Sequence, residues 1–380
     1  MDFTPSESQR RVQSSARAFA ESAIAPEAAE IDRTGRFPRA LLRGLAERGL
    51  LAVNVPAALG GLEAGAVAAA LAIQEIARAC ASTAVTASVT NMVCETIAAF
   101  GNDDQRKRHC PRLASGDAVA GSFALSEPDA GSDPAAMRTT ARRDGGGWVL
   151  DGAKQWITSG AYAGVLLVWA RHEAPAGQRA KLSCFILEGG ARGLSVRRTE
   201  DKMGIRGSNT VGLELDGCRV PADGLLGAEG GGFRVAMSAL DGGRIGIASQ
   251  AIGIARAALE ASLVRARGRR APGVPRGDDS WLEMKLADMR ARLDAAIVLS
   301  MQAAWRKEKG LPFTREAAMA KLAASEGAIR VCGDAIAIAG GTGGLGEDGV
   351  ERHFRDARVT TLYEGTSEIQ RLVIARRSLA

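Results

Sequence analysis

Residues 362–370, Leu-Tyr-Glu-Gly-Thr-Ser-Glu-Ile-Gln, place a carboxylate, Glu364, directly before a glycine and a Thr-Ser pair. Withdrawing water from a glutamate raises its pKa, because the charged form loses solvation, and the group then accepts protons near neutral pH. Gly365 permits close approach of backbone to a ligand, and Thr366 and Ser367 bring hydroxyls and amides that suit a phosphate or a polyol chain. The same residues also read as a plain helix start, since Thr366, Ser367 and Glu368 precede the helically spaced Ile369, Leu372 and Val373. On local chemistry alone the capped-helix reading is the stronger.

The elements that must position Glu364 fall into three textures. A chain of 380 residues with 46% hydrophobic content can bury a large core in two or three domains. Residues 5–118 carry apolar side chains at helical spacing over Ser6–Ile31, Pro38–Arg48, Ala64–Arg78 and Ala84–Phe100, punctuated by Pro56, Gly60-Gly61, Gly101 and Pro111. Residues 119–228 switch to short β-rich runs: Trp148–Leu150, Val165–Trp169, Leu182–Leu187, Leu194–Arg197 and Val211–Leu215, with Asp151-Gly152 read as a turn. From 229 helical patterns return over Gly232–Ala266, Trp281–Lys307, Arg315–Ala339 and Thr366–Ser378. The expected fold is α+β: an N-terminal all-α domain (1–118), a middle antiparallel β domain (119–228) and a C-terminal four-helix bundle (229–380).

Composition excludes several function classes. The net charge of +6 fits an anionic ligand and is weak support for nucleic acid, and the basic run from Arg265 to Arg270 reads as a solvated or phosphate-facing helix end. Six cysteines without C-x-x-C spacing and three scattered histidines argue for reduced thiols and against a metal centre. No signal peptide and no apolar run of membrane-spanning length is read, so the expected location is cytoplasmic. Gly341-Thr-Gly343-Gly344-Leu-Gly346 matches a dinucleotide fingerprint literally, but helical sequence precedes it where the mechanism needs a strand. A glycine-rich turn after a helix is the better reading.

Beside Tyr363-Glu364-Gly365-Thr366 stand Ala124-Leu-Ser126-Glu-Pro-Asp-Ala-Gly131-Ser132-Asp133, Trp156-Ile157-Thr158 and Gly340-Gly341…Arg355-Asp356. Together these motifs resemble the acyl-CoA dehydrogenase family of FAD enzymes, in order and over essentially the whole chain. Leu240-Asp241-Gly-Gly-Arg244-Ile-Gly-Ile-Ala belongs to the same likeness. Glu200-Asp-Lys-Met-Gly-Ile-Arg-Gly-Ser208 and Ala317-Ala-Met-Ala-Lys-Leu-Ala-Ala-Ser325 bring it closest to the short-chain, butyryl-type branch. The resemblance implies flavin contacts from Phe123, Leu125, Ser126, Gly131 and Ser132 on one side and Trp156, Ile157 and Thr158 on the other. Arg269, Gly340, Gly341, Thr366 and Glu368 would hold further parts of the FAD. Ser132, Asp241, Arg244, Tyr363 and Gly365 would meet the acyl thioester. For Trp156, taken alone, a buried core aromatic is the better expectation.

The implied chemistry is removal of an α-proton by Glu364 with loss of the β-hydrogen as hydride to the flavin. Enolate charge would be stabilised by hydrogen bonds from the glutamate's own N–H and the flavin ribityl chain. Electrons would pass to electron-transfer flavoprotein, and the family likeness implies a homotetramer. Isovaleryl- and long-chain-type relatives carry the base at the position of Gly243, which cannot serve here. Glutaryl-type relatives carry an arginine aligned with Ala84, and residues 84–88 hold no charge. The chain departs from the family pattern at Pro272, Ser280 and Ala337, where relatives reach a neighbouring subunit's FAD, so weaker FAD retention is expected. Three rivals remain: a dehydrogenase of acyl groups on a carrier protein, a flavin-bearing scaffold that binds nucleic acid, and a flavin oxygenase.

Overall fold

A computed structural model describes residues 4–172, 181–269, 279–346 and 348–379, with Arg269 described by its backbone only. The first helix, α1 (Glu7–Phe19), starts at a capping box in which Ser6 and Gln9 each bond the other's backbone N–H. A single π-turn leads into α2 (Ala25–Thr34), followed by α3 (Arg39–Ala46), α4 (Gly65–Ala79), α5 (Ala81–Phe100) and α6 (Asp103–Ala114). Helix α6 corrects the reading of Pro111 as a break. An Asn102–Gln105 capping box starts it, and Pro111 is tolerated in its final turn.

Helices α4 and α5 are buried nearly all round, and most of their polar groups find partners inside the protein, Gln74 Nε2 and Thr83 Oγ1 excepted. Thr86, Thr90 and Thr96 donate to carbonyls four residues back at 3.1, 2.8 and 2.7 Å. The fully buried Glu75 on α4 collects Arg17 of α1 and Arg256 of the long C-terminal helix at 2.9 and 3.1 Å.

The middle domain is one sheet of β1 (Gly121–Ala124), β2 (Thr140–Asp144), β3 (Gly147–Thr158), β4 (Val165–His172), β5 (Leu182–Glu188), β6 (Leu194–Thr199), β7 (Thr210–Val220) and β8 (Leu225–Leu226), in the order β6-β7-β3-β2-β4-β5-β8. Most pairings are antiparallel as expected, but β1 and β2 run parallel to β4. The turn expected at Asp151-Gly152 is instead a bulge inside β3, where Gly152 has φ 149°. The β2–β3 hairpin closes at Gly145-Gly146, both at positive φ (55° and 91°), as a tight turn with matching twist demands.

The C-terminal domain comprises α7 (Gly232–Arg269), α8 (Ser280–Glu308), α9 (Thr314–Ala339), α10 (Val350–Val359) and α11 (Ser367–Leu379), with α7, α8 and α9 packed side by side. Helix α10 was not expected, although Val350, Phe354 and Ala357 supply its inward spacing. The expectation that no segment is long and apolar enough to cross a membrane fails for Gly232–Gly268, whose best window has mean hydropathy 1.3. That window is 67% buried against its neighbours, so apolarity here serves the core. The glycine-rich 340–344 segment is a 3₁₀ turn following α9, which excludes the dinucleotide fold. One apolar cluster runs through Val93 of α5, Trp169 of β4, Ile252 of α7 and Val331 of α9, so the three domains share a core.

Candidate active site

A cavity of about 850 Å³ opens where the sheet meets α7 and α11. Three chain segments build its working wall: the loop after β1, the distorted end of β3, and the turn before α11.

The loop from Leu125 to Ser132 is held by a buried ion pair. Lys154 Nζ donates to Glu127 Oε1 at 2.7 Å and to the Leu125 carbonyl at 3.3 Å. Glu127 also accepts from the N–H groups of Arg138 and Thr139, at 2.5 and 3.0 Å. The charged lysine and these donors hold its carboxyl below the usual range despite burial, while burial pushes Lys154 down to about 8. Phe123 enters the cavity wall from β1, its ring 4.3 Å from that of Trp169.

At the end of β3 the pairing with β7 slips between Lys154 and Ile157. Trp156 takes φ 58°, a region bulky residues avoid, and its side chain is thrown outward, 57% exposed, onto the cavity. The expectation of a buried core tryptophan is therefore overturned. Its neighbour Ile157 is buried in the sheet's own core, so its side chain does not reach the cavity. Thr158 does.

Glu364 (φ 57°) and Gly365 (φ 88°) form consecutive left-handed residues, after which Thr366 caps α11 by accepting from Ile369 N–H at 3.4 Å. The helix cap of the plainer sequence reading is present, and the Glu364 carboxylate stands beside it in the same turn. The strain at Glu364 is held by buried donors. Gln370 Nε2 donates to the Glu364 and Gly365 carbonyls at 3.2 and 2.8 Å, and the fully buried Lys321 of α9 donates to Gly365 O at 2.8 Å. Tyr363 donates its hydroxyl to Gln250 Oε1 on α7.

The Glu364 residue as a whole is half-buried, but its Oε2 is sheltered and has no hydrogen-bond partner among the described residues. Burial raises the carboxyl to about 7, with Arg244 and Lys321 pulling in the opposite direction. Lys321 is lowered to about 8 by burial, opposed chiefly by Glu364. The Glu364 N–H makes no backbone–backbone hydrogen bond among the described residues. A β-carbon on Gly243 would lie 2.6 Å from Glu364 Oε2, so glycine there makes the room the carboxylate occupies.

The cavity gathers Phe123, Leu125, Ser126, Gly131, Ser132, Trp156, Thr158, Arg244, Tyr363, Glu364, Gly365 and Thr366 from the expected set. It does not gather the others. Asp241 spends its carboxylate on Arg244 and on the Thr314 hydroxyl (2.5 Å), positioning the arginine from behind. Glu368 is exposed on the first turn of α11, and Gly340 and Gly341 are outside this cavity. The Arg269 side chain and Pro272 lie outside the described residues, while Ser280 and Ala337 are exposed.

Sequence reasoning missed Lys321, Gln370, Gln250 and the Lys154–Glu127 pair. Lys321 had a signal: it is the one charge within the alanine-rich stretch Ala317–Ser325. The paired motifs Met203-Gly204-Ile205 and Arg355-Asp356 turn out to brace one another. Asp356 accepts from Ile205 N–H at 2.5 Å, and Arg355 bonds Met203 O and Asp32 at 3.0 Å.

Comparison with known proteins places this geometry. The family models described as acyl-CoA dehydrogenase N-terminal, middle and C-terminal domains match residues 6–117, 122–218 and 230–379. The mitochondrial short-chain specific acyl-CoA dehydrogenase of Bos taurus is 45% identical over 370 residues, 97% of this chain and 89% of the relative. The structure of butyryl-CoA dehydrogenase from Megasphaera elsdenii superposes with a TM-score of 0.96 at 37% identity, covering 100% of both chains. A prolyl acyl carrier protein oxidase superposes at 0.93 with 31% identity, covering 99% of this chain and 100% of that one.

Proposed function

The chain belongs to the acyl-CoA dehydrogenase family, oxidoreductases acting on CH–CH bonds, and on that premise we propose α,β-dehydrogenation of a short- or branched-chain acyl thioester with FAD as cofactor. The product is a trans-2-enoyl thioester. The observation that carries this reading is Glu364, a sheltered carboxylate held near pKa 7 at the wall of a large cavity.

The residues present fit a flavin. An exposed indole, Trp156, an apolar rim from Leu362 and Leu372, and hydroxyls from Ser126, Thr158 and Thr366 suit a flat aromatic group with a polar edge. Phe123, Leu125, Gly131 and Ser132 would complete its support. FAD, when bound, supplies the hydride acceptor.

Glu364 is the base for the α-proton. Its raised pKa brings it closer to the weakly acidic substrate, so that transfer is less uphill than to an ordinary carboxylate. The Glu364 N–H is placed to donate to the thioester oxygen and strengthens as enolate charge grows. Lys321 and Gln370 keep that N–H and the carboxylate in register by holding the left-handed turn. Arg244, braced by Asp241, adds positive charge at the same wall and lines the route toward the CoA portion.

Electron-transfer flavoprotein as acceptor and a homotetrameric assembly complete the reading. The six free, buried cysteines suit a reducing compartment such as the cytoplasm. The likeness to a prolyl carrier-protein oxidase keeps one alternative, an acyl group on a carrier protein, which rates with butyryl-CoA and with butyryl carrier protein distinguish.

Anaerobic flavin bleaching against a panel of acyl-CoAs tests the reaction. Glu364→Gln should bind acyl-CoA and lose bleaching by several orders of magnitude. Bleaching at the wild-type rate would overturn the assignment.

A further inference from the structure

The left-handed turn at Glu364 is held on its C-terminal side by Gln370 and Lys321, which bond the Glu364 and Gly365 carbonyls. Its N-terminal side has a different support. The Tyr363 hydroxyl donates to Gln250 Oε1, and Gln250 Nε2 donates to the Ala81 carbonyl at 2.9 Å. Gln250 is fully buried on α7, and Ala81 is the first residue of α5. One side chain therefore ties the residue before the carboxylate to a helix of the N-terminal domain.

Gln250 stands seven residues after Gly243 on α7. At about 3.6 residues per turn that spacing is close to two full turns, so both positions share one face of the helix. Gly243 leaves the room beside Glu364 Oε2, and Gln250 anchors the side chain of the preceding residue. A single face of α7 thus sets where the carboxylate lies and where its turn is fastened. The anchor also needs this residue type. An amide accepts at its oxygen and donates from its nitrogen, so glutamine serves the phenol and the carbonyl together. Burial pushes the Tyr363 phenol well above its usual range, which keeps it a donor. A hydrocarbon side chain at 250 would leave that phenol without its acceptor.

We propose that Gln250 is a positioning residue for the base: through the Tyr363 hydroxyl it fastens the strained Glu364 turn to α7 and so fixes the carboxylate relative to the acyl α-carbon. The proposal rests on the dehydrogenase reading above. A left-handed glutamate persists only where its surroundings over-determine it. Releasing Tyr363 leaves the turn held from one side, and the carboxylate shifts while the cavity that binds the thioester keeps its walls.

The test mixes flavin-loaded wild type, Gln250→Leu, Tyr363→Phe and the double variant anaerobically with butyryl-CoA. The limiting rate of flavin bleaching and the concentration at half-saturation are read separately. Each single variant should lower the limiting rate about ten- to a hundredfold, the scale of an ångström-sized misplacement, with half-saturation within about twofold. The double variant should be no slower than the slower single one, because both substitutions remove the same bond. Losses that multiply in the double variant would overturn the proposal. So would Tyr363→Phe bleaching at the wild-type rate, since Gln250 would then act only through Ala81 and packing. That second variant deletes one oxygen and decides the matter even where Gln250→Leu fails to fold. Absence of bleaching by every acyl-CoA in the wild type would instead overturn the dehydrogenase reading, and this inference with it.

Discussion

Replacing Lys321 by methionine removes the buried ammonium that faces the Glu364–Gly365 turn, and the consequence is electrostatic before it is structural. Gly365 O loses its 2.8 Å bond to Lys321 but keeps the equal one from Gln370, so no buried carbonyl is orphaned. The turn should therefore persist. Glu364 now loses one of the two cations that oppose its desolvation, leaving Arg244. At an effective dielectric near 20, a unit charge one or two side-chain lengths away is worth roughly 1–3 kcal/mol, or about one to two pKa units. The sign is upward, from about 7 toward the alkaline side. Each unit removes roughly tenfold of the ionised base on the acid side of the new pKa.

The readout is the acidic limb of the pH profile of kcat/KM with butyryl-CoA, which reports the base in the free enzyme. Lys321→Met should move that limb alkaline by about one to two units. Lys321→Arg, which retains the charge, should leave it near its original position. The groups facing Lys321 are Glu364, Arg244, Glu326 and Glu368, so the arginine control tests charge against this same set. A methionine variant that is folded and flavin-loaded yet keeps the wild-type limb would refute the role of the ammonium.

Other expectations follow from the same geometry. Gly243→Ala puts a methyl group 2.6 Å from Glu364 Oε2 and should displace the carboxylate, lowering kcat by about a hundredfold, with overpacking of roughly 1–3 kcal/mol read as a modest fall in thermal midpoint. Lys154→Met leaves Glu127 buried without its cation and should destabilise by about 3–5 kcal/mol in denaturant unfolding. Adding Glu127→Gln should recover part of that loss by removing the unpaired charge, although its single amide oxygen can accept from only one of the Arg138 and Thr139 N–H groups that the two carboxylate oxygens serve. The unusual residues Pro272, Ser280 and Ala337 lead us to expect FAD loss on prolonged dialysis, measured by flavin absorbance per chain. Stoichiometric retention would remove that expectation.

Local periodicity was enough to order the molecule. Apolar spacing near 3.6 residues marked α1, α4, α5, α7, α8, α9 and α11, and short β-rich runs marked β4, β5 and β7, most of which bury an apolar face, whereas α11 buries only Ser367 and Gln370. The motif order carried the family, and Glu364 with it. What escaped were elements whose signal is weak or split. Half of helix α10 is charged, with Asp356 among its buried residues, and α6 carries a proline that reads as a stop.

The site's working geometry lay beyond local sequence for a firmer reason. Trp156 reads as a core aromatic at the end of a strand, and only the slipped β3–β7 register turns it outward and Ile157 inward. That register depends on β7, more than fifty residues away in the chain. Likewise, nothing near Glu364 announces that Lys321 and Gly243 will sit against it, since those contacts arise when α9 and α7 pack together. The sequence by itself determined which carboxylate is offered, and on what kind of turn. The tertiary structure decided its burial, its opposing cations and the space beside it, because desolvation and Coulomb terms depend on distances that only the packed core sets.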